Sequence, residues 1–139
     1  MTDPVVIGMH ECKWIKDANT RMFSLFAKAS SGGTYDAFQE LDGTDYQVPV
    51  DKKFIILNHT STPYNTSGTV AAEFTLYRHS SAGVAGGDKL QTNFGALGEG
   101  CVGIVTPLYI EVPTGEYINL KNGGSGIAYD TITGVETNA

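Results

Sequence analysis

The chain uses one phrase twice. Val48-Pro49-Val50-Asp51-Lys52-Lys53-Phe54-Ile55-Ile56-Leu57 returns, one residue shorter, as Val112-Pro113-Thr114-Gly115-Glu116-Tyr117-Ile118-Asn119-Leu120. Each copy runs Val-Pro, a turn holding Asp or Gly, a charged residue, an aromatic, Ile, and a Leu two positions later. Proline has no amide proton to give a sheet ladder, so it belongs at a strand edge or a turn entry with the strand following it. Two such turn-plus-strand units in a chain of 139 residues predict a β-sandwich of two related halves. The copies begin 64 residues apart, about half the chain, which suits a jelly roll of two Greek keys wrapped together.

The remaining pattern agrees with an all-β, antiparallel sandwich of about nine to ten short strands at regular spacing. Strands are expected at 5–9, 35–41, 46–48, 53–58, 70–78, 101–105, 108–112, 117–121 and 127–135. Residues 12–29 carry Met22 and Phe26 at helical spacing, but the polar turn Asp17-Ala18-Asn19-Thr20 and the alternation of Phe23, Leu25 and Ala27 favour a hairpin. Phe54, Ile55, Ile56 and Leu57 are apolar in succession, so that strand should be covered on both faces. Residues 61–67 read as a polar loop and 122–126 as a hairpin loop. Residues 80–100 read as a long Gly-rich connection interrupted by a short strand at 89–93; such a stretch is a functional surface or a crossing between sheets.

Length places all of 1–139 in one domain, which buries roughly 70% of its unfolded surface. No disulfide framework is needed at that size, and Cys12 and Cys101 read either as free thiols or as a pair. Glycine is 17 of the 139 residues, which fits strands joined by tight turns. A net charge of −6 argues against a partner bound through a phosphate backbone, and so against nucleic acid. No apolar run approaches the ~20 residues of a membrane span. The first residues lack a basic segment followed by an apolar one, so no signal peptide is expected. Asn58-His59-Thr60 and Asn65-Thr66-Ser67 match the glycosylation sequon by chance on this reading.

No motif reads as a catalytic, cofactor or metal site. Gly98-Glu99-Gly100-Cys101-Val102-Gly103 has the spacing of a dinucleotide fingerprint but is followed by β-branched Ile104-Val105, where the pyrophosphate needs a helix N-terminus. His10-Glu11-Cys12 puts an imidazole and a thiol on one face of an extended strand, without a second base or orienting group to make a nucleophile. His59 and His79 could join a carboxylate around a metal, yet the spacing of two nearby His and a following Glu is missing. Asp42-Gly43-Thr44-Asp45 is too sparse for a calcium loop. Asp36, Glu40, Asp42 and Asp45 read as a solvated rim. Tyr77, Tyr109 and Tyr117 alternate with core positions and point outward, and tyrosine is favoured at interfaces for its large contact area and polar tip. They are the residues expected at an interface between identical subunits.

The Val-Pro, Gly/Asp, charged, aromatic-Ile unit, best at 46–57 and 110–120, resembles that of phage head decoration, head-fibre and related virion proteins. The resemblance implies a TNF-like jelly roll, commonly trimeric and without catalytic residues. It further implies a non-enzymatic structural protein made in the host cytoplasm and displayed on a virion, with copies of itself, the major capsid protein or another virion protein as partners, and no cofactor. A carbohydrate-binding or adhesin-like module is the second reading, with Tyr64, Tyr77 or Trp14 stacking on sugars. A small jelly-roll isomerase is the third.

Overall fold

A computed structural model describes residues 19–30, 33–65, 70–97, 100–101, 104–124 and 126–139. The expected strand at 5–9, His10, Glu11, Cys12 and Trp14 lie outside them, as do parts of the Gly98–Gly103 motif and of the second sequon. The described residues form strands and turns only: β1 (Arg21–Ala29), β2 (Tyr35–Ala37), β3 (Lys52–Asn65), β4 (Val70–His79), β5 (Asp88–Leu97), β6 (Gly100–Cys101), β7 (Ile104–Val112), β8 (Tyr117–Asn122) and β9 (Ile127–Asn138). One sheet runs β1-β9-β3 with β6 and β7 end to end along the far side of β3, and the other runs β2-β8-β4-β5. Every described pairing is antiparallel.

The pairing is nested. β1 pairs with β9, β2 with β8, β3 with β7 and β4 with β5. Among the described strands the first pairs with the last and the second with the penultimate, the pattern of one long hairpin. Folding it over, so that β9 meets β3 and β8 meets β4, makes the two-sheet jelly roll.

The repeated phrase turns out to be two matching turns lying side by side. Pro49 O accepts from Lys52 N at 3.1 Å, and Pro113 O accepts from Glu116 N at 3.3 Å. Each turn has its third residue at positive φ: 61° at Asp51 and 81° at Gly115. Val48 N donates to Glu116 O at 3.0 Å and Gly115 N to Val48 O at 2.8 Å, so one turn is hydrogen-bonded to the other. One leads into β3 of the first sheet, the other into β8 of the second. A Cβ at Gly115 would meet nothing within 4 Å, so only backbone strain opposes a side chain there. Gly115→Ala should cost about 1 kcal/mol in chemical denaturation, and Gly115→Asp less, because Asp tolerates the left-handed region that Asp51 already occupies.

Between the sheets lies an apolar core of Leu25, Phe38, Tyr46, Val48, Phe54, Ile56, Phe74, Leu76, Val112, Ile118, Leu120 and Ile132. Phe23, Tyr46 and Phe54 form a ring cluster with centroids 5.3–5.4 Å apart. Ile55 and Val135 are register partners on the opposite, outer side of the first sheet, yet are 5% and 1% exposed. β3 is therefore covered on both faces there, as its apolar run predicts.

Several local expectations are corrected. Residues 61–65 are not a loop but the second half of β3, where Ser61 to Tyr64 stay in register with β9. Residues 88–97 form a full ten-residue strand, and only 80–87 connect it to β4. β7 runs unbroken through Pro107, which pairs with Asn58 beside a bulge; an edge strand tolerates a missing donor. The hairpin expected around 122–126 is not formed, because β8 and β9 belong to different sheets. The strand at 46–48 reduces to an isolated bridge, Gln47 to Tyr117.

Candidate functional site

Toward the end of the sandwich at Ser61 and Asp130, the interior becomes polar. β3 carries His59 and Ser61 inward after Phe54 and Ile56, the bulge between Ile56 and Asn58 resetting the alternation. β9 adds Asp130, β7 adds Thr106, and the facing sheet adds Gln91 and Asn93 from β5. His59 Nε2 lies 2.5 Å from Asp130 Oδ2, and Ser61 Oγ lies 2.7 Å from the same oxygen. His59 Nδ1 is 2.6 Å from Gln91 Oε1, Gln91 Nε2 donates to Asn93 Oδ1 at 2.6 Å, and Asn93 Nδ2 donates to Ser61 Oγ at 3.0 Å. Thr106 Oγ1 also donates to Asn93 Oδ1, at 2.6 Å. The five side chains of His59, Gln91, Asn93, Ser61 and Asp130 close a hydrogen-bonded ring that joins the two sheets.

Serine, histidine and aspartate together invite a catalytic reading, and the geometry answers it. A nucleophilic triad places the hydroxyl on one ring nitrogen and the carboxylate on the other, so that a proton can leave the hydroxyl through the ring. Here Asp130 and Ser61 both meet Nε2, at 2.5 and 3.3 Å, while an amide occupies Nδ1. Ser61 donates to Asp130, not to histidine. His59 and Ser61 are fully buried, which closes the hydroxyl to a substrate. The arrangement ties strands together and activates nothing.

The two histidines raised as metal ligands do not meet. His59 points between the sheets, whereas His79 ends β4 and accepts a hydrogen bond from Ser81 N at 2.9 Å. Among the described residues no group of three or more His, Cys, Asp or Glu is placed to hold a metal ion.

A second buried polar group closes the other end. Glu136 accepts from Arg21 Nε at 3.1 Å and from Tyr46 Oη at 2.8 Å, and Arg21 reaches Glu40 at 3.1 Å. Burial pushes the Glu136 carboxyl up, but hydrogen bonds from Arg21 and Tyr46 and the Arg21 charge outweigh it and leave it below its ordinary value. Burial, reinforced by Glu136, drives the Tyr46 hydroxyl far above its own. A carboxyl depressed by folding contributes stability above its unfolded value of about 4.3, and that stability is lost as pH falls through the folded value. Glu136→Gln should therefore cost about 2 kcal/mol at neutral pH and flatten the acid side of the stability curve, measured by urea denaturation across the acid range.

The three tyrosines do not share a face. Tyr77 and Tyr117 lie on the outer side of β4 and β8, Tyr77 packing on Tyr35 with centroids 5.5 Å apart. Tyr109 lies on the outer side of β7, in the other sheet, and is 66% exposed. The face it shares is more distinctive. Across its middle run Ser24, Thr131, Thr133, Asn58, Thr60 and Thr62 in cross-strand rows, with Ser24 Oγ 2.8 Å from Thr133 Oγ1. Around them stand exposed Met22, Phe26, Val105, Tyr109 and Tyr129. Its charged members are Lys28, Lys53 and Glu111, the last two paired at 3.0 Å. Asn58, the sequon asparagine, sits inside β3 with a partner strand on either side rather than on a loop tip.

Beside β2, Lys28, Asp36, Gln39 and Asp45 line an open polar cleft of about 260 Å³. Burial holds the Asp36 carboxyl above its ordinary value; the Ser30 amide opposes this and the Asp45 charge adds to it. The rim carboxylates of the sequence reading thus divide: Asp36 and Asp45 share this cleft, whereas Glu40 pairs with Arg21 and Asp42 caps the Thr44 amide.

The polar ring had no legible signal in the chain. Asn58 to Thr62 is polar throughout, so alternation cannot say which side chains turn inward, and a bulge shifts the phase just before it.

The fold and site define an all-β jelly-roll sandwich with a polar ring between its sheets and one apolar-rimmed outer face. No protein-family profile matches the chain, and no curated protein is significantly similar to it. Among solved structures, it is similar to a chain of the infectious bursal disease virus Gx strain at 11% identity and a TM-score of 0.43, covering 86% of this chain and 33% of that one. It is similar to a chain of the Gt strain at 12% identity and a TM-score of 0.34, covering 86% and 32%. The chain spans about a third of the length of these neighbours. Among the described residues no helix is long and apolar enough to cross a membrane.

Proposed function

We propose that this chain is a non-enzymatic virion structural protein, of the capsid decoration or head-fibre kind, that assembles with copies of itself on a particle surface. The observation that carries the assembly part is the outer face of the β1-β9-β3-β7 sheet, where Val105 and Tyr109 are 61% and 66% exposed among Thr and Ser rows. Exposed apolar side chains rimming a weakly charged sheet are a contact surface. The virion part rests on the resemblance of the two Val-Pro turn-strand units, which the fold pairs side by side, and on the jelly roll's frequent use in particle shells. That last support is fold-level analogy.

Val105→Glu with Tyr109→Glu should reduce the mass measured by light scattering to that of one chain without altering the circular dichroism. A wild-type protein that is already monomeric removes this interface. The decoration role predicts binding to empty capsids at fixed copy number and silence on a glycan array. Saturable glycan binding lost on Asp36→Asn would replace it with the carbohydrate-binding reading, placed in the polar cleft.

A further inference from the structure

We propose that Asn122–Gly123 is a fold-guarded deamidation site that acts as a one-way lock between the two sheets. While the sandwich is closed, the Asn122 amide is held away from reaction. Once this end opens, Asn122 turns into an acid that cannot fasten it again. The change lies inside one chain and is independent of the assembly role.

Asn122 is the one asparagine in the sequence followed by glycine. That pair is the most prone to close on itself, because glycine has no side chain to shield its amide nitrogen. Gly123 N attacks the carboxamide carbon of Asn122, and a bond from that nitrogen to Cγ forms. The Cγ–Nδ2 bond breaks, and the Gly123 amide proton leaves with Nδ2 as ammonia. Water then opens the resulting succinimide at either carbonyl, giving aspartate or isoaspartate. The step consumes water alone.

The fold holds both partners of this reaction. Asn122 is the last residue of β8, in register with Phe74, facing the interior and 1% exposed. Its Nδ2 shares two protons among Gly126 O at 2.9 Å, Ser30 O at 3.2 Å and Ala29 O at 3.3 Å. Oδ1 accepts from Gly124 N at 3.0 Å. The nucleophile is tied as well, Gly123 N donating to Glu73 O at 2.9 Å. The Asn122 main chain is pinned by Thr34 O at 3.2 Å and Gly33 N at 2.7 Å. Attack needs the Glu73 bond broken and the carboxamide turned away from three carbonyls at once. The reaction must therefore wait for a local opening of this end of the sandwich.

The same hydrogen bonds make the amide a brace. Ala29 ends β1 and Gly126 leads into β9, both in the first sheet, whereas β8 lies in the second. A carboxylate in the amide's place offers no proton to the three carbonyl oxygens and brings a charge into a site with almost no exposure. Isoaspartate also adds a carbon to the main chain, which disturbs the end of the β8–β4 ladder. Either product keeps this end from closing as before, so an opening that lasts long enough is recorded permanently.

Wild-type protein kept at mildly alkaline pH, folded in buffer or unfolded in urea, gives the two rates to compare. Peptic peptides spanning 122–123, cut in acid to halt the reaction, show the mass gain of amide to acid. Loss of the amide should be about a hundredfold slower in the folded protein, and should quicken in urea below the unfolding midpoint. Equal rates in the two states overturn the guard, as does an unfolded chain that fails to convert at Asn122. Stability supplies the second readout: Asn122→Asp should lower the urea midpoint clearly. A midpoint equal to that of the wild type overturns the lock. Should the variant not fold, wild type aged in urea, refolded and separated by charge gives the same comparison, and a deamidated fraction as stable as the intact one overturns the lock.

Discussion

Phe54→Ala is expected to lower the unfolding free energy by about 4 kcal/mol, the upper part of the range for emptying a buried aromatic site. Phe54 has no exposed surface, and its ring sits 5.3 Å from those of both Phe23 and Tyr46. Removing it deletes apolar burial and two aromatic contacts, each contributing about 1 kcal/mol beyond area. The cavity cannot collapse easily, because Phe54 lies on a central strand hydrogen-bonded to β7 on one side and β9 on the other. For a chain of this size the loss corresponds to a fall in Tm of roughly 15 °C. Calorimetry showing a change under about 1 kcal/mol would mean the sheets do not close over this ring.

The opposite error at the same place should cost nearly as much. Gly134 of β9 lies under the Phe54 ring, and a Cβ there would stand 2.3 Å from Ile55 O and 2.5 Å from Phe54 Cζ. The ring could shift, but the backbone oxygen cannot without breaking the β3–β9 ladder. Gly134→Ala is expected to cost about 3 kcal/mol by overpacking. The two sites are coupled: Phe54→Leu made together with Gly134→Ala should cost clearly less than the sum of the two single changes, since a smaller side chain relieves half of the clash. Strict additivity in denaturant titrations would show that the backbone contact alone sets the cost.

This pair of residues also shows what could be read in the chain. Phe54 announces itself as an aromatic inside an apolar run behind a Val-Pro turn. Gly134 reads as one more glycine in a Thr-rich strand. Nothing local says that its missing side chain is the space another strand's ring fills, because the two are 80 positions apart and meet only through pairing.

The candidate sites divide in the same way. The outward direction of Tyr77, Tyr109 and Tyr117 follows from alternation along each strand, and the structure places all three on outer surfaces. That they belong to two different sheets does not follow, since alternation gives a side and not the sheet that owns it. His59 stood out as a histidine, but its partners Asp130, Gln91 and Asn93 come from two other strands, and their closure into a ring depends on register.

The sequence by itself determined the all-β class of the fold and the two Val-Pro turns that open β3 and β8. These are local matters of φ, of a missing amide proton and of alternation, and they act over a few residues. Only the tertiary structure decided that those two turns lie hydrogen-bonded together, that β8 and β9 belong to different sheets, and that a polar run becomes part of a ring holding a buried His–Asp pair. Each depends on which strands pair and in what register. That is set by the simultaneous burial of many side chains from distant parts of the chain, a sum that no short window contains.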